Sequence, residues 1–205
     1  MNFVFLDFEA TGLDATKVRP IELCAIVSHT GKGLSKIINH LIWESSYTEL
    51  SDEVSEITHI PKDYYINNLV FTPREALTNF CTALQGLEPT DTFLVAHNAL
   101  RFDKVLLEIE CQRQAVPLPP LEWIDTQHDL PYPEKFKCRK LSHLALDHGI
   151  TIDPSTLHRA AADVELMIAI FKKYTEEDIL KFVMAPKVVL QALVSYDNRQ
   201  LAKDR

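Results

Sequence analysis

No stretch of this 205-residue chain approaches the roughly 20 consecutive apolar residues that a membrane-spanning helix needs, so no membrane partner is expected. The first residues lack the charged region and apolar core of a secretion signal and open on a strand pattern, so a cytoplasmic location is expected. Cysteine is sparse. Cys24, Cys81, Cys111 and Cys138 show no Cys-x-x-Cys spacing, which excludes a zinc ribbon or a disulfide framework and predicts reduced core thiols. Positive charge is also short: 21 Lys and Arg face 29 Asp and Glu, a net charge of −8, which argues against long, tight, non-specific duplex binding. No internal repeat or low-complexity tract is visible.

What is present is ordinary globular composition, with 46% hydrophobic residues. A chain of this length can bury about 70% of its unfolded surface in one main domain without a staple. Its most informative segment is Asp7-Phe8-Glu9, which ends the apolar run Phe3-Val4-Phe5-Leu6 and precedes Ala10-Thr11-Gly12-Leu13. Alternate strand residues share a face, so the two carboxylates stand about 6–7 Å apart on one side. Such a pair repels and costs desolvation unless a cation lies between its members, or unless the strand end is simply solvated. If a cation is held, carboxylate oxygens without Cys or clustered His suit Mg²⁺ or Mn²⁺.

Two further acids occupy similar junctions. Asp103 follows the apolar strand pattern Phe93–Ala96 and the turn His97-Asn98-Ala99-Leu100-Arg101-Phe102, in the first turn of a helix. Asp163 closes His158-Arg159-Ala160-Ala161-Ala162-Asp163 and leads into the apolar Val164, Leu166, Met167, Ile168, Ile170 and Phe171. A single acid there is usually a cap or a first-turn charge. Acids at the ends of strands in an open α/β sheet can also converge on one ligand. His158 and Asp163 are five apart, about 140° from a common helical face, so both address one site only if His158 lies on the loop before the helix.

Taken in order, Asp7-x-Glu9 with Thr11-Gly12, His97-Asn98 with Phe102-Asp103, and His158-x-Ala160-x-x-Asp163 resemble the three motifs of the DEDDh 3′–5′ exonuclease family. That family includes polymerase proofreading subunits, exonuclease X, TREX-type exonucleases, ribonuclease T and oligoribonuclease. Trp123-Ile124-Asp125-Thr126 and Lys140-Leu141-Ser142-His143-Leu144-Ala145 resemble the connecting strand and helix, and the likeness spans about residues 1–174. Three residues separate Asn98 from Phe102, as in the TREX-type pattern; proofreading subunits usually have two.

The resemblance implies an α/β, RNase H-like fold with a mixed five-stranded sheet whose opening strands are antiparallel. It implies a metal-dependent hydrolase that releases nucleoside 5′-monophosphates from nucleic-acid 3′ ends, of the DNA repair or proofreading type, with DNA ahead of RNA. RNA trimming and a catalytically silent scaffold stay open as alternatives. Two ions, Mg²⁺ or Mn²⁺, would be held by Asp7, Glu9, Asp103 and Asp163, with Asp7 bridging. His158 would be the general base; without the acids it would read as a cap or a packing group. Thr11, Gly12, Leu13, His59, Ile60, His97, Asn98, Arg101 and Phe102 are the implied substrate contacts. The run Lys135-Phe136-Lys137-Cys138-Arg139-Lys140 reads either as a strand-holding cluster or as a solvated turn. A polymerase, or self-association, is the further partner implied.

Along the chain, strand patterns cover residues 3–9, 21–29 and 34–43, and Thr72 and Pro73 open a helix to about Leu84 with Ala76, Leu77, Phe80, Ala83 and Leu84 on one stripe. Residues 1–174 are expected to form the exonuclease domain. Residues 175–205 read as a helical extension, with helices over Glu176–Met184 and Pro186–Val194. Its last residues resemble the opening of a module appended to some bacterial exonucleases, so the chain is expected to continue.

Overall fold

The computed structural model of the protein describes residues 1–30, 33–47 and 49–183. Six strands form one sheet among them: β1 (Asn2–Ala10), β2 (Pro20–His29), β3 (Gly33–Ile42), β4 (Val70–Phe71), β5 (Thr92–Ala96) and β6 (Glu122–Asp125), in the order β4-β3-β2-β1-β5-β6. The pairs β1–β2 and β2–β3 are antiparallel, whereas β5 joins β1, β6 joins β5 and β4 joins β3 in parallel. The expected five-stranded sheet therefore gains a sixth member. At two residues, β4 is too short to display the alternation by which a strand is recognised.

Alternation along β1 assigns the two cores. Val4, Leu6, Phe8 and Ala10 face α3 (Pro73–Leu84) and α4 (Asp103–Arg113), in a cluster with Leu77, Phe80, Leu106 and Leu107. Phe3 and Phe5 face α5 (Leu141–Asp147) and α6 (Ala160–Phe171), where both rings lie 5.0 Å from that of Phe171. Asp7 and Glu9 continue this second face, so they emerge on the side covered by α6.

The helices begin where their caps dictate. Thr72 and Glu75 form a reciprocal capping box at the start of α3, with Pro73 in the first turn. On its stripe Cys81 is buried, whereas Ala83 is exposed. The short helices α1 (Asp52–Thr58) and α2 (Tyr64–Asn67) lie between β3 and β4, over a third small cluster of Ile21, Leu50, Ile60 and Tyr64. The last described helix, α7 (Glu176–Val183), sends Ile179 into the second core. The helix expected over Pro186–Val194 lies outside the described residues. All four cysteines are free, and Cys24, Cys81 and Cys111 are buried. No helix among the described residues is long and apolar enough to cross a membrane.

Candidate active site

Because β5 runs parallel to β1, the C-terminal ends of both strands open on the same edge of the sheet, the usual place for a ligand in such folds. A cavity of about 1080 Å³ lies there. Asp7 and Glu9 reach it from β1, Asp103 from the first turn of α4, Asp163 from the first turn of α6, and His158 from the loop before α6. Asp7, Glu9 and Asp163 each offer a carboxylate oxygen, and the three atoms all lie within 4.8 Å of one another. Asp103 stands outside that trio: its Oδ1 accepts the Phe8 N–H at 3.1 Å, from the residue between the two β1 acids. His158 has a left-handed backbone, φ 61°, and Ala160 begins the helix, which resolves the angular mismatch between positions 158 and 163.

Crowding shifts the acids upward. Desolvation at the strand end, then repulsion from Asp103, Glu9, Asp163 and Glu22, raises the Asp7 carboxyl well above the usual range. Burial and the charges of Asp163, Glu22 and Asp103 push Glu9 up to about 9, with Arg159 opposing. Burial lifts Asp103 to about 7 against the Phe8 N–H. Asp163 is raised by burial and partly relieved by His158. A cation between these groups would remove the repulsion. The donors fit a hard divalent ion: they are all carboxylate oxygens, and Asp163 Oδ1 is buried without a hydrogen bond among the described residues.

Two buried acids that the motif reading gave no role hold this arrangement together. Glu22, 2% exposed, pairs in register with Glu9 and accepts from Arg159 Nε and Nη2 and from the Ala160 N–H. A carboxylate inside the apolar run Ile21–Val27 was its signal. Asp125, at the end of β6, accepts the N–H groups of Asn98 at 2.9 Å, Leu100 at 3.3 Å and Gln127 at 2.9 Å. It thereby shapes the turn, with Asn98 at φ 61°, that delivers Asp103.

Of the expected substrate contacts, Thr11, Gly12, Leu13, His97, Asn98 and Phe102 line the cavity. Thr11 exchanges hydrogen bonds with Arg19, at 3.0 Å from its backbone N–H and 3.0 Å to its hydroxyl, closing the loop that carries Leu13, 94% exposed. A Cβ at Gly12 would come within 3.2 Å of Val18 Cγ1, so packing inside this loop already favours glycine. His97 is largely buried, with Nδ1 3.0 Å from Thr126 Oγ1. Three expected contacts stand outside this lining. Ile60 is 1% exposed in the third cluster, its N–H 3.3 Å from Thr58 Oγ1; His59 is the exposed left-handed cap of α1; neither lines the cavity. Val54, Ile57 and Thr58 do so instead, because the helix ends at Thr58 and the chain then turns inward. Arg101 is exposed and also outside the lining. Gln127, Lys140, Ser142 and His143 complete another part of the wall.

The family model described as Exonuclease (RNase T type) matches residues 4–171. A DNA polymerase III of PolC type from Thermotoga maritima is 28% identical over 182 residues, covering 85% of this chain and 12% of the polymerase. Among solved structures, a zinc-bound complex of Escherichia coli exonuclease I with single-stranded DNA superposes with a TM-score of 0.67 at 18% identity, over 98% of this chain and 44% of that one. The same enzyme with a dT13 oligonucleotide gives 0.68 at 17%, over 95% and 43%. The chain thus spans about one-eighth of the polymerase and under half of exonuclease I.

Proposed function

This chain belongs to the exonuclease family, and from that membership we propose that it removes nucleotides stepwise from the 3′ end of single-stranded DNA by metal-assisted hydrolysis, releasing nucleoside 5′-monophosphates. The observation that carries the reading is the meeting of Asp7, Glu9 and Asp163 oxygens within 4.8 Å, on a cavity that also receives Asp103 and His158. Divalent ions held by these four acids, Mg²⁺ or Mn²⁺, would polarise the scissile phosphate and stabilise the attacking and leaving oxygens.

The protein's own groups supply the rest. His158, on a strained loop residue at the cavity wall, accepts the proton of the attacking water and returns it to solvent. Thr11 and Gly12 set a closed loop that presents Leu13 to the terminal base. The cavity is at the upper end of the size that takes a drug-sized ligand, so it accommodates more than one nucleotide unit of a flexible strand. Single-stranded DNA as substrate is supported by the exonuclease I complexes that share the fold, and a polymerase as partner by the PolC-type relative. Residues 1–174 form the catalytic unit in this reading, and the free thiols suit a reducing cytoplasm.

Product analysis decides it. Single-stranded DNA, duplex DNA and RNA, each labelled at the 5′ end, are incubated with Mg²⁺, with Mn²⁺ or with a chelator. Metal-dependent ladders shortening one nucleotide at a time, fastest on single-stranded DNA, are expected. Internal fragments, or turnover that survives chelation, would overturn the proposal, and faster shortening of RNA would reassign the substrate.

A further inference from the structure

An acidic cavity floor on a chain of net charge −8 must still receive a polyanion, so the position of each nearby cation matters. Most are committed to protein partners. Arg159 is held by Glu22, Arg19 and Arg113 by Glu110, and Lys62 by Asp52, while the guanidinium of Arg139 sits 4.5 Å over the Tyr132 ring. Among the described residues that line the cavity, Lys140 is the one lysine or arginine. It is exposed, and its ammonium makes no ion pair with the described residues. Ser142 and His143 line the same wall, also without side-chain partners among those residues.

The backbone beneath these three side chains is anchored although their tips are open. Gln127 Nε2 donates to the Arg139 carbonyl at 3.3 Å, Arg139 stacks on Tyr132, and the Lys140 carbonyl accepts the Leu144 N–H at 3.0 Å as α5 begins. The rest of the lining differs in kind. The α1 wall, which follows β3 on the other side of β1 from β6, offers Glu53 with the apolar Val54 and Ile57, a surface for bases and a poor one for phosphate.

We propose that Lys140, Ser142 and His143 form a phosphate track that binds the strand on the 5′ side of the scissile bond, while the α1 wall faces the bases. The proposal rests on the exonuclease reading and adds to it a polarity for the bound strand. Lysine is suited to this as a point charge, and serine and histidine as added donors, because contacts to phosphate position a strand without reading its sequence. One captured phosphate also predicts a modest salt dependence, a slope of about −0.7 in log affinity against log salt for a single strand.

The test compares two substrates. A single-stranded oligonucleotide carries phosphates upstream of the scissile bond; thymidine 5′-(4-nitrophenyl phosphate) carries only the phosphate to be cleaved. Lys140→Ala should raise KM for the oligonucleotide roughly tenfold more than for the ester, as loss of one charge-assisted contact requires, with Lys140→Glu worse and Lys140→Arg largely restored. The salt slope should fall by about 0.7. Equal changes on both substrates, or none on the oligonucleotide, would overturn the track while wild-type turnover of the ester upholds the enzyme. If wild type cleaves neither substrate, the exonuclease reading fails. Fluorescence anisotropy with a labelled single strand then still decides the track, since an unchanged Kd in Lys140→Ala refutes it.

Discussion

The guanidinium of Arg159 grips both carboxylate oxygens of Glu22, through Nε at 3.1 Å and Nη2 at 2.8 Å. The same Glu22 accepts the first N–H of α6, from Ala160, at 3.1 Å. One buried acid on β2 therefore fixes the residue that follows His158 and the start of the helix that carries Asp163.

Weakening that grip should cost turnover more than binding. Glu22→Gln keeps one acceptor and loses the charge pairing, and a supporting residue of this kind typically accounts for 10–100-fold in activity. We expect kcat to fall by roughly that factor with KM changed less than about threefold. Glu22→Ala should also destabilise by about 2–3 kcal/mol, below the roughly 3–5 of a fully enclosed pair because the Arg159 side chain is 38% exposed. Equal loss in kcat and KM, or an unchanged melting temperature for the alanine variant, would contradict this.

The acid cluster makes stability depend on pH in a stated direction. Unfolded carboxyls ionise near pH 4, whereas folded Glu9 is raised to about 9 and Asp103 to about 7, with Asp7 and Asp163 also raised. The folded metal-free protein thus binds more protons than the unfolded chain between those values. Its extra stability is complete below about pH 4 and is lost as pH rises toward about 9. Divalent ions should reverse the loss, so the rise in melting temperature on adding Mg²⁺ should be larger at pH 8.5 than at pH 5.5. Asp7→Asn should abolish metal-dependent nucleotide release. It should also raise the metal-free melting temperature at pH 8.5 by about 2–4 °C, on the order of 1 kcal/mol for a chain of this size. Calorimetric scans across pH, with chelator and with Mg²⁺, check both, and a metal effect independent of pH would refute the coupling.

His158 can be separated from its backbone. At φ 61° the histidine already carries the left-handed strain of an L residue, about 1–2 kcal/mol, which alanine and asparagine keep or ease slightly and glycine relieves. His158→Ala, His158→Asn and His158→Gly should therefore all lower kcat by about 10²-fold or more without a loss of stability from the backbone, the melting temperature staying within a few degrees. Full activity in the asparagine variant would remove His158 from the proton-transfer step.

Much of this site could be read from residue order because β1 and the helix starts are governed by local rules. Alternation put Asp7 and Glu9 on one face, and the five-residue spacing from His158 to Asp163 required a loop before α6. What resisted reading depends on contacts distant in the chain. Glu22 meets Arg159 across 137 positions, and nothing local distinguishes a carboxylate that clamps a loop from one that faces water. His59 and Ile60 fall outside the cavity lining for a related reason: where a short helix stops decides which of two neighbouring turns faces the cavity, and helix ends are the least determined part of a local pattern. The two-residue β4 owes its place to β3, its partner, and has no pattern of its own.

Two apolar side chains stand exposed on the cavity wall. Leu13 is 94% exposed and Ile57 48%, and both line the cavity from separate segments, the loop after β1 and helix α1. Leu13 contributes almost nothing to folding in water and the half-buried Ile57 only a little, so their removal should cost little stability. If instead they pack against the bases of a bound strand, truncation should forfeit apolar burial worth about 1–2 kcal/mol, at roughly 0.8 kcal/mol per buried methylene. Leu13→Ala and Ile57→Ala should each raise KM for single-stranded DNA by roughly 5–50-fold, with kcat and melting temperature little changed. Abasic oligonucleotides supply the control, because a strand lacking its last two bases has nothing to lose at these positions. Should the variants discriminate equally against normal and abasic ends, the apolar wall would be acting on the shape of the cavity, and the bases would have to be held elsewhere.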